Sequence, residues 1–413
     1  MFAGIEFEVL VRALAASRTL AWLLMLTASA LGLLVPTCAA ALQRSYIPLP
    51  EILTDPNEGN TYGALGVILF LDDEKVIKYI LAPDVRWNKI TGVFPAFRLF
   101  GFPSLDTKWS IVVRKSQKID EDYEFIYQDN AFWQDRLRLS ATVSYERDST
   151  ERFYGFGNGS SEDDESNYTA QEGIGVVRLN YRLQPTLEVT YQSRVRVFRV
   201  REGGVDNFPY IKDEHPDTAG LGGATVVGQE IGIIYDSRDD MNIPRQGGFG
   251  LFTAEFIPRL LGSSFSAVRY AAEFKKFIPL RERFVFAMHS RINYLQSNDD
   301  VPFFEQSDIG GRRSLRGFGT GRFVDKNSFF ASAELRTRVY SRQIFGVNAE
   351  IELAPFFDFG QVFHSSRDSP FNDLHPVGGL GFRGVVRPQV VGFVDVGLGE
   401  QGPAVFTGLE YPF

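Results

Sequence analysis

Cysteine is nearly missing from this sequence: Cys38 is the only one in 413 residues. It stands in the small-residue patch Cys38-Ala39-Ala40-Ala41, which closes the one long apolar run, Leu20 to Pro36. Arg12 and Arg18 precede that run, so residues 1–41 have the layout of a secretory signal peptide, with cleavage expected after Ala40 or Ala41. Glu6 and Glu8 make the front end atypical. A membrane anchor is the competing reading, since the run lies near the lower length limit for a span. Lipid attachment at Cys38 is disfavoured by the context Val35-Pro36-Thr37. A chain cleaved after Cys38 has no thiol, which excludes disulfides and thiol catalysis.

Two further shortages narrow the function. No apolar stretch of helical spanning length follows Pro36, so a membrane destination must be reached by strands closing into a barrel. Histidine is scarce, with only His215, His289, His364 and His375. His289-Ser290 falls in a strand, where neighbours point to opposite faces, and His364-Ser365 falls in a loop without a third catalytic member. There is no clustered metal ligand set, phosphate loop or nucleic-acid signature. No enzymatic activity, metal, cofactor or nucleic-acid partner is expected.

What the chain has in quantity is aromatic residues and glycine: 37 Phe, 16 Tyr and 39 Gly, with a mean hydropathy of -0.11. That composition argues against disorder. From about Asn60 onward, polarity alternates with a period of two. Val347, Ala349, Ile351, Leu353, Phe357 and Phe359 share one face; Asn348, Glu350, Glu352, Phe356 and Asp358 share the other. Phe329, Ala331, Ala333 and Leu335 likewise oppose Ser328, Ser332, Glu334 and Arg336. Any sheet with one wet face alternates in this way. Full charges on nearly every polar face, and rings on the apolar ones, favour a transmembrane barrel over a soluble sandwich.

The reading is therefore all-β, with a short periplasmic lead at 42–59 and a single barrel domain at 60–413. Residues 75–101 divide into either one bent strand or two. With both ends in the periplasm the count must be even, which selects sixteen antiparallel strands and counts 75–101 once. Long polar connections at 148–168, 202–224, 298–326 and 364–374 fall on the outer side, and short ones such as Pro279-Leu280-Arg281 on the inner side.

The loop from Asp299 to Asp325 is too long for a compact domain unless it is functional or disordered. It contains Gly310-Gly311-Arg312-Arg313-Ser314-Leu315-Arg316-Gly317-Phe318. We expect this extracellular loop to fold into the barrel. Gly310, Gly311 and Gly317 would let the backbone turn and approach the wall, with Leu315 inside the same motif and Phe318 wedged among wall side chains. Alternation turns Glu334 and Asp358 inward, where the planar fork of Arg316 suits two carboxylates.

These residues resemble a known family. Ser314-Leu315-Arg316-Gly317-Phe318 after Gly310-Gly311 is similar to the inward-folded loop motif of the BamA/TamA outer-membrane barrels, or bacterial surface antigen family. Ala333-Glu334-Leu335 and Phe357-Asp358-Phe359-Gly360 resemble the strands whose carboxylates receive that arginine. Tyr235-Asp236-Ser237-Arg238-Asp239, followed by Pro244-Arg245-Gln246-Gly247, resembles the family's strand end and periplasmic turn, with Asp236, Arg238, Asp239 and Gly247 as its signature positions. Arg152 to Asn158 is similar to members lacking a large periplasmic part. Gly408-Leu409-Glu410-Tyr411-Pro412-Phe413 resembles a barrel precursor's C-terminal signal, with Tyr411 and Phe413 as its aromatics and the terminal ring on the apolar face.

The resemblance implies a Gram-negative outer-membrane location, lipid and lipopolysaccharide surroundings, and the barrel-assembly machinery as the agent of the chain's own insertion. It also implies a seam between the first and last strands that opens to a periplasmic or barrel client protein, so that the chain aids insertion or export. The family's client-capturing POTRA domains have no counterpart here, which leaves a passive pore, or a structural surface antigen with no client activity, as the alternative.

Overall fold

The computed structural model describes residues 42–413 apart from 134–135, 345–346, 366, 369–370, 387–389, 410 and 412. The expected signal peptide lies outside the described residues. The chain begins with β1 (Gln43–Asp55), β2 (Gly59–Leu71), β3 (Ile77–Leu81), β4 (Asp84–Asn88), β5 (Gly92–Gly101), β6 (Thr107–Lys115) and β7 (Glu121–Trp133). β8 (Leu137–Phe153), β9 (Ser166–Gln184), β10 (Leu187–Glu202), β11 (Ala224–Asp236), β12 (Gly247–Ile257), β13 (Ala267–Arg281) and β14 (Phe284–Gln296) follow. A small hairpin, β15 (Ser307–Ile309) and β16 (Phe323–Asp325), interrupts the series. β17 (Asn327–Ile344), β18 (Val347–Phe363), β19 (His375–Val386), β20 (Val390–Gly399) and β21 (Gly402–Leu409) complete it.

Apart from the inserted hairpin, these strands form one antiparallel sheet of nineteen. β3 and β4 both pair with β2 and β5, so they are two halves of one stave broken at Ala82-Pro83. The missing N–H of Pro83 interrupts the ladder, while its carbonyl still accepts from Gly66 N at 2.9 Å. The nineteen strands thus make eighteen staves among the described residues, one fewer because β3 and β4 share a stave. The expected sixteen needs two corrections. Residues 75–101 supply two staves rather than one, and most of the expected lead at 42–59 is strand β1, laddered to β2 from Gln43–Leu71 to Asp55–Gly59. Both gains leave the count even.

Alternation sets what each face meets. On β12, Phe252 and Phe256 are exposed while Thr253 and Glu255 are buried; on β20, Val394, Val396 and Leu398 face out and Asp395 faces in. The outer face is apolar and the enclosed face is charged, the inverse of a water-soluble barrel and the pattern of one that sits in lipid. The long connections, 154–165, 203–223, 258–266, 297–326 and 364–374, all leave from one end of the sheet, here the loop end.

The sheet comes round until β1 lies beside β21, yet among the described residues no backbone ladder joins them. One hydroxyl bridges instead: Thr407 Oγ1 accepts from Thr54 N at 2.8 Å and donates to Ile52 O at 3.1 Å. With Thr54 opposite Thr407, an antiparallel register carries Gln43–Glu51 past the end of β21, and Gln43 to Pro50 is exposed on both faces. Even-numbered residues of β1 aim their backbone groups at this seam, as Thr54 and Ile52 show. Pro48 and Pro50 therefore remove two seam donors while sparing the ladder to β2, which is where a strand tolerates proline.

Candidate functional site

The loop between β14 and β17 folds back into the barrel, and its local chemistry explains the sharp turn. Ser314 Oγ accepts from Gly310 N at 2.9 Å and donates to Gly310 O at 2.8 Å. Gly311 N reaches Phe318 O at 2.9 Å. Gly310 (φ 124°) and Gly311 (φ 83°) lie in backbone regions that L side chains rarely adopt. At Gly317 the demand is proximity: a Cβ there would stand 2.7 Å from Gly399 N and 2.9 Å from Val377. Leu315 and Phe318 are buried with Ile309, Phe323, Phe330, Phe356, Val362 and Val377 in an apolar cluster between loop and wall. Neighbouring loops help hold it, with Arg322 Nη2 donating to Ser160 O at 2.7 Å and Gly157 N to Val324 O at 2.8 Å.

Arg316 is 1% exposed. Its five N–H donors are all used. Nε meets Asp358 Oδ2 at 2.9 Å and Nη2 meets Asp358 Oδ1 at 2.8 Å, a bidentate pair. Nη2 also donates to Ser332 Oγ at 3.1 Å, and Nη1 to Glu334 Oε2 at 3.0 Å and Asp395 Oδ2 at 3.1 Å. The guanidinium lies 3.5 Å from the centre of the Phe356 ring. Two wall cations complete the network. Arg336 pairs with Glu334 at 2.7 Å, and Arg383 pairs with Asp395 and with Glu334. Three guanidiniums and three carboxylates thus sit together without net charge, which is how buried ions are tolerated. Asp395 and Arg383 were not singled out in the sequence, though a lone charge in Val394-Asp395-Val396 is a period-two signal for an inward group.

A second charged anchor lies on another part of the wall, β10 and β13. Glu305, in the helical turn Phe303–Glu305 of the same loop, is 2% exposed and bonds Arg194 (3.1 Å), Arg196 (2.8 Å) and Arg269 (2.9 Å). Arg194 and Arg269 also share Glu255, and Arg196 holds Glu172. Burial pushes the Glu305 carboxyl up, but the guanidiniums of Arg194 and Arg269 outweigh that and hold it well below the ordinary glutamate value. Loop residues carry no periodicity, so this contact left no trace in the sequence pattern.

The expected turn motif forms a closed polar hairpin end between β11 and β12. Arg238 pairs with Asp236 at 2.7 Å, and Asp239 Oδ1 accepts from Arg245 N at 2.9 Å and Gln246 N at 3.1 Å. Gly247 has φ 96° and lies against Ser237 O, leaving no room for a side chain. The structure does not bring this turn to Arg316. Phe413 departs from expectation, since the terminal ring does not lie on the outer apolar face. Among the described residues β21 ends at Leu409. Tyr411 is buried, donates to Glu352 Oε2 at 2.7 Å and lies 3.9 Å from the Arg336 guanidinium. Phe413 packs on Phe277, Val285 and Ala287. Freed from the ladder, the two rings find cation faces and apolar lining inside the barrel.

The Omp85 superfamily domain matches residues 107–381. BamA from Haemophilus ducreyi lacking POTRA domains 1–3 is similar in structure, with a TM-score of 0.55 at 13% identity over 88% of this chain and 75% of that one. CdiB from Acinetobacter baumannii gives 0.47 at 11% identity over 89% and 59% of the two chains. CdiB from Escherichia coli gives 0.48 at 13% over 89% and 67%. No curated protein matches the sequence.

Proposed function

The chain belongs to the Omp85 superfamily, and from that premise we propose that it is a Gram-negative outer-membrane barrel that assists insertion or export of a client polypeptide. The observation that carries this reading is the seam. Among the described residues β1 and β21 meet through one threonine hydroxyl instead of a ladder, so the cost of parting them is small. Unpaired strand edges are reactive toward another chain. β1 offers seam-directed N–H groups at Arg44, Tyr46 and Ile52 but none at Pro48 or Pro50, which restricts the register in which a client strand can add.

In this reading Arg316 is the latch of the inward loop. It ties the loop to β17, β18 and β20, the part of the wall next to β21, and so keeps the last staves in place while the seam works. A wide passive conduit is disfavoured because the inward loop packs against the wall inside the barrel and narrows the lumen.

The experiment is a lock. Cysteines at Thr54 and Thr407, in a mature chain free of other thiols, would tie the seam by a disulfide. Oxidation should abolish client assembly and dithiothreitol should restore it. Full client assembly by the oxidised, tied barrel would sink the proposal.

A further inference from the structure

The lumen is divided by charge. Beneath the inward loop lies a cavity of about 1110 Å³, floored by the turn that carries Arg238 and Met241. Eight arginines and lysines line it against three acids, Glu273, Glu305 and Asp308. Further round the wall, a small cleft lined from β5 to β8 has the opposite bias, with Glu58, Asp120, Glu121, Asp122, Glu146 and Asp148 against Arg114 and Arg147. The whole chain carries a formal charge of -8, so the basic chamber is a local inversion. A low-dielectric cleft of one sign concentrates guests of the other.

One anion already shows how the chamber recognises its guests. Glu305 sits in the fork of Arg194, Arg196 and Arg269, which is a built carboxylate receptor supplied by the wall and filled by the loop. Lys275 and Arg291 extend the same lining below it, Arg291 standing exposed to the cavity and donating to Asn293. The volume suits several residues of extended chain and exceeds what one small anion needs. Met241, on the floor turn, is 66% exposed, so the turn separates the chamber from solvent at the end away from the loops.

We propose that this chamber is a binding site for an acidic stretch of extended polypeptide. It enters from the turn end and engages the Arg194, Arg196 and Arg269 receptor in place of Glu305. The inference rests on the client-handling reading and gives it a substrate class: segments rich in Asp and Glu are held in the lumen, and basic ones are not.

The test uses the purified, folded barrel in detergent and a fluorescent decaglutamate peptide followed by anisotropy. Saturable binding that weakens steeply with salt is expected, with decalysine at least tenfold weaker. The double variant Lys275→Glu, Arg291→Glu should weaken decaglutamate at least tenfold, while heat-modifiable mobility on a gel reports an intact barrel. Glu305→Gln, which leaves a neutral side chain in the receptor, should tighten binding severalfold. Equal binding of the two peptides, no binding, or an unaltered Glu305→Gln affinity would overturn the assignment. So would inorganic tripolyphosphate competing as strongly as decaglutamate, since the site would then be one for small anions. The seam lock requires no acidic guest and this assay requires no client assembly, so either claim can fail alone.

Discussion

The two ends of the inward loop are electrostatic mirror images. At one end Arg316 enters a wall of acids; at the other Glu305 enters a wall of arginines. They differ in wetness. Around Arg316 the paired side chains are 0–2% exposed, and Arg316 supplies the third positive charge that, with Arg336 and Arg383, balances the three acids. Around Glu305 the arginines are 14–23% exposed and border an open cavity. A dry, neutral network fixes one geometry, because each member that leaves strands the others. A half-wet receptor tolerates exchange, because water and a guest can replace what leaves. The contrast suggests a fixed anchor and an exchangeable one on a single loop.

The largest effect should come from the dry end. Arg316→Ala leaves Asp358 buried with Ser332 as its remaining side-chain partner, at a cost of about 3–5 kcal/mol. Chemical denaturation of the refolded barrel should report it, and a loss below about 1 kcal/mol would erase the distinction between the two ends. Glu305→Ala should cost less, roughly 2–3 kcal/mol, since each of the three arginines keeps a carboxylate partner in Glu255 or Glu172. A cost equal to that of Arg316→Ala would show that both ends are fixed.

Acid sharpens the comparison further. The Glu305 carboxyl is held below its ordinary value in the folded chain, so its stabilisation is complete above that ordinary value and fades only as pH falls through the lowered one. Loop protection should be flat from about pH 8 to pH 5 and decline below, and Glu305→Gln should flatten the decline. Loosening of the loop near pH 6 that depended on Glu305 would contradict this. The smallest effect belongs to Ser332→Ala, which removes one hydroxyl shared by Arg316 and Asp358 and should cost about 1 kcal/mol.

How far the sequence could be read depended on whether a residue lies in a periodic run. Glu334 and Asp358 stand at inward positions of long alternating strands, so their face followed from spacing alone. Asp395 and Arg383 obey the same rule and were there to be found in Val390–Gly399 and His375–Val386. Glu305 could not be found this way, because a helical turn within a loop sets its direction by tertiary packing. The first strand was hidden by its own prolines. Pro48 and Pro50 look like breakers, yet their missing donors face an unladdered seam, where nothing is lost. Phe413 misled for a related reason: alternation predicts a face only while the ladder continues, and among the described residues it ends at Leu409.

The claim on which the rest depends is that Arg316 holds the loop inside the barrel, and amide hydrogen exchange of the folded protein tests it directly. Wild-type peptides covering Gly310–Phe318 should be protected, since Arg316, Leu315 and Phe318 are buried. In Arg316→Ala that protection should collapse while β8–β10, remote from the acid cluster, stay protected. Equal protection of the loop in both proteins would contradict the account, as would a wild-type loop that exchanges freely.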